Sequence, residues 1–460
     1  MTEPAARPVA LEPDVAEPVI DSVEPDAGQP GAEHSAGSGA ASAAEAEPVA
    51  QSLTPPLVAL THPRDGVPDV VSTERGLDEV ARRIREGHGP IGVDAERASG
   101  YRYGQRAYLV QLRREGSGSF LIDPITCPDL SPVQDAIGDA EWILHAATQD
   151  LPCLTEVNLR PKALFDTELG GRLAGLPRVG LGAMVEHYLG LSLAKEHSAV
   201  DWSTRPLPEP WLLYAALDVE VLGRLRDAVA ADLQAQGKAA WAAEEFESLL
   251  GFTGPEPRVD PWRRTSGMHK VRGRRGLAVV RELWLERDRI ARDRDIAPGR
   301  VVPDAAISEI AIANQRATKP PRSLSSPDGR LARSIRRHHD ALLAALTRAL
   351  ELPESDLPPL TLPPSGPPPI KAWADRDPVA AARVARAREL LTAVSGELAV
   401  PVENLLTPDL LRRFLWDGPA APTTDDVAAA LQALGARRWQ TTITAPLISL
   451  ACREHPVLAG

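Results

Sequence analysis

Apolar residues recur at three- and four-residue spacing through Leu77, Val80, Ala81 and Ile84, which predicts a helix from Glu74 to Glu86. The run Gly89-Pro-Ile-Gly-Val-Asp-Ala-Glu96 then reads as a short buried strand ending in two carboxylates. A strand's period of two puts residues 94 and 96 on one face. Two more apolar runs, Ala107 to Leu112 and Ser119 to Ile122, flank the turn-forming Glu115-Gly-Ser-Gly118 and predict an antiparallel meander. Glu141 to His145 and Ala163 to Asp166 predict two further strands, each followed by a helical stretch. Strands paired first by turns and then alternating with helices imply an α/β fold with a mixed sheet. One long helix, from about Glu209 to Gln236, closes the region, with Pro208 and Pro210 near its start, where proline is tolerated.

Beyond residue 250 the strand pattern disappears. Phe252-Thr-Gly-Pro-Glu-Pro257 breaks the helical period, and Gly276 to Asp293 restarts it with Leu277, Val280, Leu283, Trp284, Arg287 and Ala291 on one stripe. Asp295-Ile-Ala-Pro298 ends that helix, and another starts near Val301. A proline-dense stretch from Leu352 to Ile370 reads as a semi-rigid spacer. A second helical segment runs from Ala374 to about Ala451, with Val384, Leu390, Leu391, Val394 and Leu398 on one stripe, Leu405 to Leu415 on another, and Trp439 ahead of the last helix. With 460 residues, two to four domains are expected. The boundaries fall at a disordered acidic tail (1–52), a mixed-sheet domain (53–250), a helical domain (258–345), a proline-rich linker (346–372) and a second helical domain (373–456).

Charge refines this division. The chain carries a net −12, which argues against a nucleic-acid partner until it is mapped. Residues 1–52 hold ten acids against one arginine, without hydrophobic periodicity, whereas residues 258–345 hold twenty Lys and Arg against ten Asp and Glu. Cys127, Cys153 and Cys452 form no paired motif and suggest neither disulfides nor a zinc knuckle, which fits a reducing cytosol. No leader pattern or membrane-length apolar run is legible, so a cytoplasmic protein without a membrane partner is expected.

Three acidic features remain as candidate chemistry. Asp94 and Glu96 share a strand face and suit a hard divalent cation, although most Asp-x-Glu triplets are solvated surface. Tyr214 and Asp218 lie four apart on a helix, in line with Leu222, Leu225 and Val229, so Asp218 either faces inward and needs a cation or sits at a wet edge. Asp150 follows a strand end at the start of a helix, where it serves either chemistry or the helix dipole.

The segments Val93-Asp-Ala-Glu96, His145-Ala-Ala-Thr-Gln-Asp-Leu151, Phe165-Asp-Thr167, Asp201-Trp-Ser-Thr-Arg-Pro-Leu207 and Tyr214-Ala-Ala-Leu-Asp-Val219 together resemble the 3′–5′ exonuclease domain of the DEDD superfamily, and within it the ribonuclease D family. The histidine subclass has His five residues before the last aspartate. Leu213 stands there, and Tyr214 gives the tyrosine subclass. The helical pattern after residue 258, with Trp262 at its start, resembles an HRDC domain, a small nucleic-acid-binding module, and residues 373–456 resemble a diverged second one.

The resemblance implies an RNase H-like exonuclease domain followed by two all-α HRDC-type domains, acting as a 3′–5′ exoribonuclease on structured RNA such as tRNA precursors. A DNA exonuclease of the same fold and a catalytically silent RNA-binding scaffold are the alternatives. It also implies two divalent ions, Mg²⁺ or Mn²⁺, with Asp94 bridging them. Glu96 and Asp218 would complete one site, Asp150 would serve the other, and Tyr214 would orient the attacking water. Ala95 and Arg97 depart from the family pattern, which usually has Thr in the first position and an apolar or aromatic residue in the second. Arg97, Lys195 and Arg205 are candidate substrate contacts. His145 is expected to be a hydrogen-bonded structural histidine, and Arg272, Arg274 and Arg275 to meet phosphates.

Overall fold

The computed structural model describes residues 57–193, 199–317, 319–324, 329–363 and 366–455. The acidic segment 1–52 and Lys195 lie outside the described residues. Eight strands occur among those described: β1 (Val58–Leu60), β2 (Val70–Val71), β3 (His88–Arg97), β4 (Ala107–Glu115), β5 (Gly118–Ile122), β6 (Trp142–Leu144), β7 (Leu164–Asp166) and β8 (Leu191–Leu193). Six form a mixed sheet in the order β2-β5-β4-β3-β6-β7, while β1 and β8 pair separately. The expected meander is the antiparallel set β3-β4-β5, and β6 and β7 extend it in parallel.

Helices α1 (Glu74–Glu86), α2 (Ser131–Ile137), α3 (Leu151–Glu156), α4 (Thr167–Leu173), α5 (Leu181–Leu189), α6 (Glu209–Glu220), α7 (Leu222–Ala235) and α8 (Ala239–Leu249) belong to this first unit. Alternation divides the central strands cleanly. Val93, Ala95, Val110, Leu112, Phe120 and Ile122 join Leu77, Val80 and Ile84 of α1 in the main core, whereas Leu109 and Leu121 share a smaller cluster with Trp202 and Ala215 of α6. The even-numbered acids of β3 therefore face α6.

The long helix expected over 209–236 is two helices. It breaks at Val221, and the break lets the chain close on the sheet where Gly92 has no side chain. A Cβ at Gly92 would lie 3.3 Å from both the Leu222 side chain and the Val219 carbonyl. Val219 and Leu222 bury there with Ile143, a demand set by the sheet that periodicity along the helix does not carry.

The second unit contains α9 (Gly273–Arg294), α10 (Pro298–Val301), α11 (Asp304–Asn314), α12 (Gly329–Arg337) and α13 (His339–Glu351). Its core holds Trp262, Leu277, Val280, Leu283, Leu346, Leu350 and Leu357, so the helical unit continues past residue 345 into the stretch expected to be linker. Arg274 and Arg275 explain the extension. Arg274 donates to the carbonyls of Glu354, Leu357 and Pro358, and Arg275 to those of Ala349, Leu350 and Leu352. These guanidiniums satisfy the open carbonyls at a helix end and are struts, not the phosphate contacts that their basic run suggests.

The third unit contains α14 (Trp373–Arg376), α15 (Pro378–Leu398), α16 (Val402–Leu405), α17 (Pro408–Asp417), α18 (Thr424–Ala433) and α19 (Arg438–Glu454) around its own apolar cluster. No described helix is long and apolar enough to cross a membrane.

Both helical units lean on the first. Tyr103 donates its hydroxyl to Asp288 at 3.0 Å, Arg106 pairs with Asp295 at 3.2 Å, and Arg300 donates to the Gly100 carbonyl at 2.6 Å. From α19, Trp439 stacks on Trp241 of α8 with ring centroids 5.0 Å apart. Trp439 belongs to the main core of the first unit and not to the cluster of its own.

Candidate active site

Asp94 and Glu96 leave β3 on the face covered by α6, where the four-residue spacing turns Tyr214 and Asp218 toward them. One carboxylate oxygen from each of Asp94, Glu96 and Asp218 lies within 4.8 Å of the others. The Tyr214 hydroxyl hydrogen-bonds to Asp218. Beneath them, Trp202 is fully buried, its ring 5.6 Å from that of Trp211 and 6.4 Å from that of Tyr214. The Asp201-Trp202 motif thus supports the helix that presents the tyrosine and the last aspartate.

Asp150 precedes α3, but its carboxylate makes no capping bond to that helix. It is buried, with Arg97 3.8 Å away and its electrostatics tied to Asp94. The turn that delivers it is held by Asp166, which accepts from the backbone amides of Ala146 at 3.1 Å and Ala147 at 2.8 Å. Ala146 adopts a left-handed backbone, φ 61°, which such a clamp must hold in place. Thr167 adds a bond to the Leu144 carbonyl, and its hydroxyl meets His145 Nδ1 at 2.9 Å. Asp166 and Thr167 carried part of the resemblance but received no role from the sequence. Their role is non-local, and the signal was the Phe165-Asp-Thr167 segment itself.

Arg205 is a correction. All five of its N–H donors are engaged: two on Asp123 at 2.7 and 2.9 Å, and three on the carbonyls of Tyr108, Trp202 and Thr204. It ties the Trp202 loop to the sheet and has nothing left for a phosphate. Arg97 is different. It reaches Gln149 at 3.5 Å as well as Asp150, keeps partial exposure, and lines a recess of about 280 Å³ with Glu96, Ser99, Gly100 and Tyr101.

Burial raises the carboxyls of Asp94, Glu96, Asp150 and Asp218 above the ordinary range, and the charge on Asp94 adds to it for the other three. Four acids held this way are short of positive charge, and an all-oxygen donor set fits a hard divalent cation. Burial and the neighbouring carboxylates likewise keep the Tyr214 hydroxyl protonated. His145, pushed down to about 4 by burial, is neutral.

The sign of the pH effect follows. Carboxyls with raised folded-state affinity for protons stabilise the fold at low pH, and that stability is lost as pH rises through their folded values. Cations that bind the ionised acids should therefore raise the thermal midpoint more at about pH 7.5 than at about pH 5.5. His145 acts oppositely, because a depressed histidine loses its contribution as pH falls, but comparison with and without Mg²⁺ at each pH cancels it. Equal shifts at both pH values would move the cations away from these acids.

Three family models match the chain: a 3′–5′ exonuclease over residues 68–234, an HRDC domain over residues 276–346, and a 3′ to 5′ exonuclease C-terminal domain over residues 366–452. Ribonuclease D of Escherichia coli is 31% identical over 299 residues, which span 63% of this chain and 76% of that protein. This chain belongs to the ribonuclease D family. Ribonuclease D of Desulfotalea psychrophila is 26% identical over 296 residues, 63% of this chain and 78% of that one. The crystal structure of Escherichia coli RNase D, described as an exoribonuclease involved in structured RNA processing, superposes with a TM-score of 0.60 at 26% identity. It covers 85% of this chain and 99% of that one. A crystal structure of a protein from Bifidobacterium adolescentis superposes with a TM-score of 0.76 at 38% identity, covering 86% and 100%. As a ribonuclease D family member, the chain is a 3′–5′ exoribonuclease with an RNase H-like mixed-sheet domain followed by HRDC-type helical domains. The exonuclease family depends on divalent metal, and the acidic cluster is present here.

Proposed function

We propose that this enzyme removes nucleoside monophosphates one at a time from the 3′ ends of structured RNA such as tRNA precursors, in the cytoplasm, using Asp94, Glu96, Asp150, Asp218 and Tyr214. The observation that carries the assignment is the convergence of three carboxylates within 4.8 Å, with a tyrosine hydroxyl on one of them. Asp94, Glu96, Asp150 and Asp218 would hold two Mg²⁺ or Mn²⁺ ions. When bound, such ions supply Lewis-acid stabilisation of the attacking and leaving oxygens of an in-line displacement. Water adds to phosphorus, the P–O3′ bond breaks, and the proton balance leaves a 3′-hydroxyl on the shortened chain and a 5′-phosphate on the released nucleoside. Tyr214, held protonated, orients the water through its hydroxyl and does not act as the base. Arg97, beside Asp150 at the recess, receives the terminal phosphate or stacks on the last base.

The basic helical unit would supply affinity. Arg300, Arg333 and Arg337 surround one exposed cleft, and Arg294, Arg336 and Arg337 line a second beside it, in place of Arg274 and Arg275. Replacing Arg333, Arg336 and Arg337 together by alanine should weaken binding of tRNA-sized RNA and flatten the log–log salt slope by roughly 0.7 per lost phosphate contact. Turnover on a short unstructured RNA at saturation should be unaffected. An unchanged slope would assign the cleft to another purpose. The reading as a whole is tested by digesting a 5′-labelled RNA and its DNA counterpart side by side, with Mg²⁺ and with chelator. Stepwise shortening of RNA that chelator stops is expected. Preference for DNA would favour a DNA exonuclease, and inert RNA binding would favour a scaffold.

A further inference from the structure

Gln111 stands in β4 directly across from Asp94 of β3, and opposed residues of an antiparallel pair point to the same face with Cβ atoms about 5 Å apart. The rest of its surroundings on that face is set by the register. Leu109 lies two residues before it and Leu121 opposes it from β5, and both belong to the apolar cluster that includes Ala215 of α6. Arg113, two residues after it, is held by Asp65, Ser119 and Glu220. Asp94 is thus the directly opposed polar group to which a carboxamide at position 111 can turn.

The side chain of Gln111 is 0% exposed, yet neither Oε1 nor Nε2 has a hydrogen-bond partner. A carboxamide offers two N–H donors and an acceptor oxygen, and a buried one left unpaired destabilises a fold that an apolar residue of the same shape would not. Trp142 and Trp202 each bury one ring N–H without a hydrogen bond, and Glu220, Asn404 and three arginines each bury one such atom, but among the described residues Gln111 alone leaves two. Gln111 fills a space that leucine or methionine would fill without the unpaired amide.

We propose that Gln111 is a positioning residue of the catalytic centre: in the cation-loaded enzyme its Nε2–H donates to an Asp94 oxygen and fixes the orientation in which that carboxylate meets the ions. Partners of this kind orient ligands throughout metal sites, and their loss weakens metal affinity by roughly 10–100-fold. The inference rests on the reading of Asp94 as a ligand. It also requires a dissociation that a purely structural glutamine would not produce, since removing the amide relieves the metal-free fold while it impairs the loaded one.

The test uses the full chain, with Gln111→Met and Gln111→Leu as variants and Asp94→Asn alongside. Thermal midpoints are measured in chelator, Mn²⁺ affinity is measured by calorimetry, and cleavage is followed against Mg²⁺ concentration. The Gln111 variants should melt in chelator at or above the wild-type midpoint, bind Mn²⁺ about 10-fold more weakly or worse, and recover cleavage at high Mg²⁺. A folded Gln111 variant with wild-type Mn²⁺ affinity overturns the proposal. So does failure of both variants to fold, because an unpaired amide has no stability to remove. If Asp94→Asn itself binds Mn²⁺ as wild type does, the site assignment fails first. If it loses binding while Gln111→Met keeps it, only the role of Gln111 falls.

Discussion

Asp94→Asn is expected to lower RNA cleavage by roughly three orders of magnitude or more while leaving the protein folded. Asp94 is the acid whose charge acts on all the others. It raises Glu96, Asp150 and Asp218 alike and lies in the cluster with two of them. An amide in its place presents one neutral oxygen and a pair of N–H donors, which cannot serve two cations. The same change removes a like charge from a crowded, buried group, so the metal-free midpoint should stay level or rise. The signature is a stable, inactive protein whose midpoint no longer responds to Mg²⁺. Near wild-type turnover in a folded variant would displace the whole assignment.

Trp439→Ala should produce the largest loss of stability. The indole stacks on Trp241 at 5.0 Å, its Nε1–H donates to buried Glu245 at 2.9 Å, and its backbone amide donates to Glu244 at 3.1 Å. Arg437 pairs with the other Glu245 oxygen at 3.2 Å. Truncating the ring opens a cavity in the main core and removes one of the donors that make a carboxylate tolerable there, a cost of about 3–5 kcal/mol. In a thermal melt the exonuclease unit should unfold about 10 °C earlier. Cutting the chain after Leu250 removes the same contacts together with Val400 and Leu405 of that core. It should therefore destabilise the catalytic unit as well as weaken RNA binding. A midpoint unchanged in either variant would make the contact between α8 and α19 incidental.

Much of the site was legible because its geometry is local. The period of two along β3 and of nearly four along α6 decide where Asp94, Glu96, Tyr214 and Asp218 point, and the expected helix over residues 74–86 is α1 residue for residue. What stayed illegible depends on partners distant in sequence. Arg205 looked like a phosphate contact until Asp123, 82 residues away, took its guanidinium. Arg274 and Arg275 looked like a nucleic-acid run until carbonyls more than 70 residues on took theirs. Val221 breaks a helix for the sake of Gly92, and Trp439 reads as part of its own unit although it completes another. A basic or aromatic residue announces its type in the sequence, but its partner is a property of the fold.

The sealing of α8 by α19 also sets a schedule for biosynthesis. The candidate acids have all been translated once residue 218 is reached, yet the ring that completes the main core is residue 439. At roughly 5–20 residues per second, the interval between Leu250 and Trp439 lasts about 10–40 s, during which Trp241 and Glu245 lack their cover. Until α19 has been made, the exonuclease unit therefore carries all of its candidate acids on a core that its last ring has not yet closed.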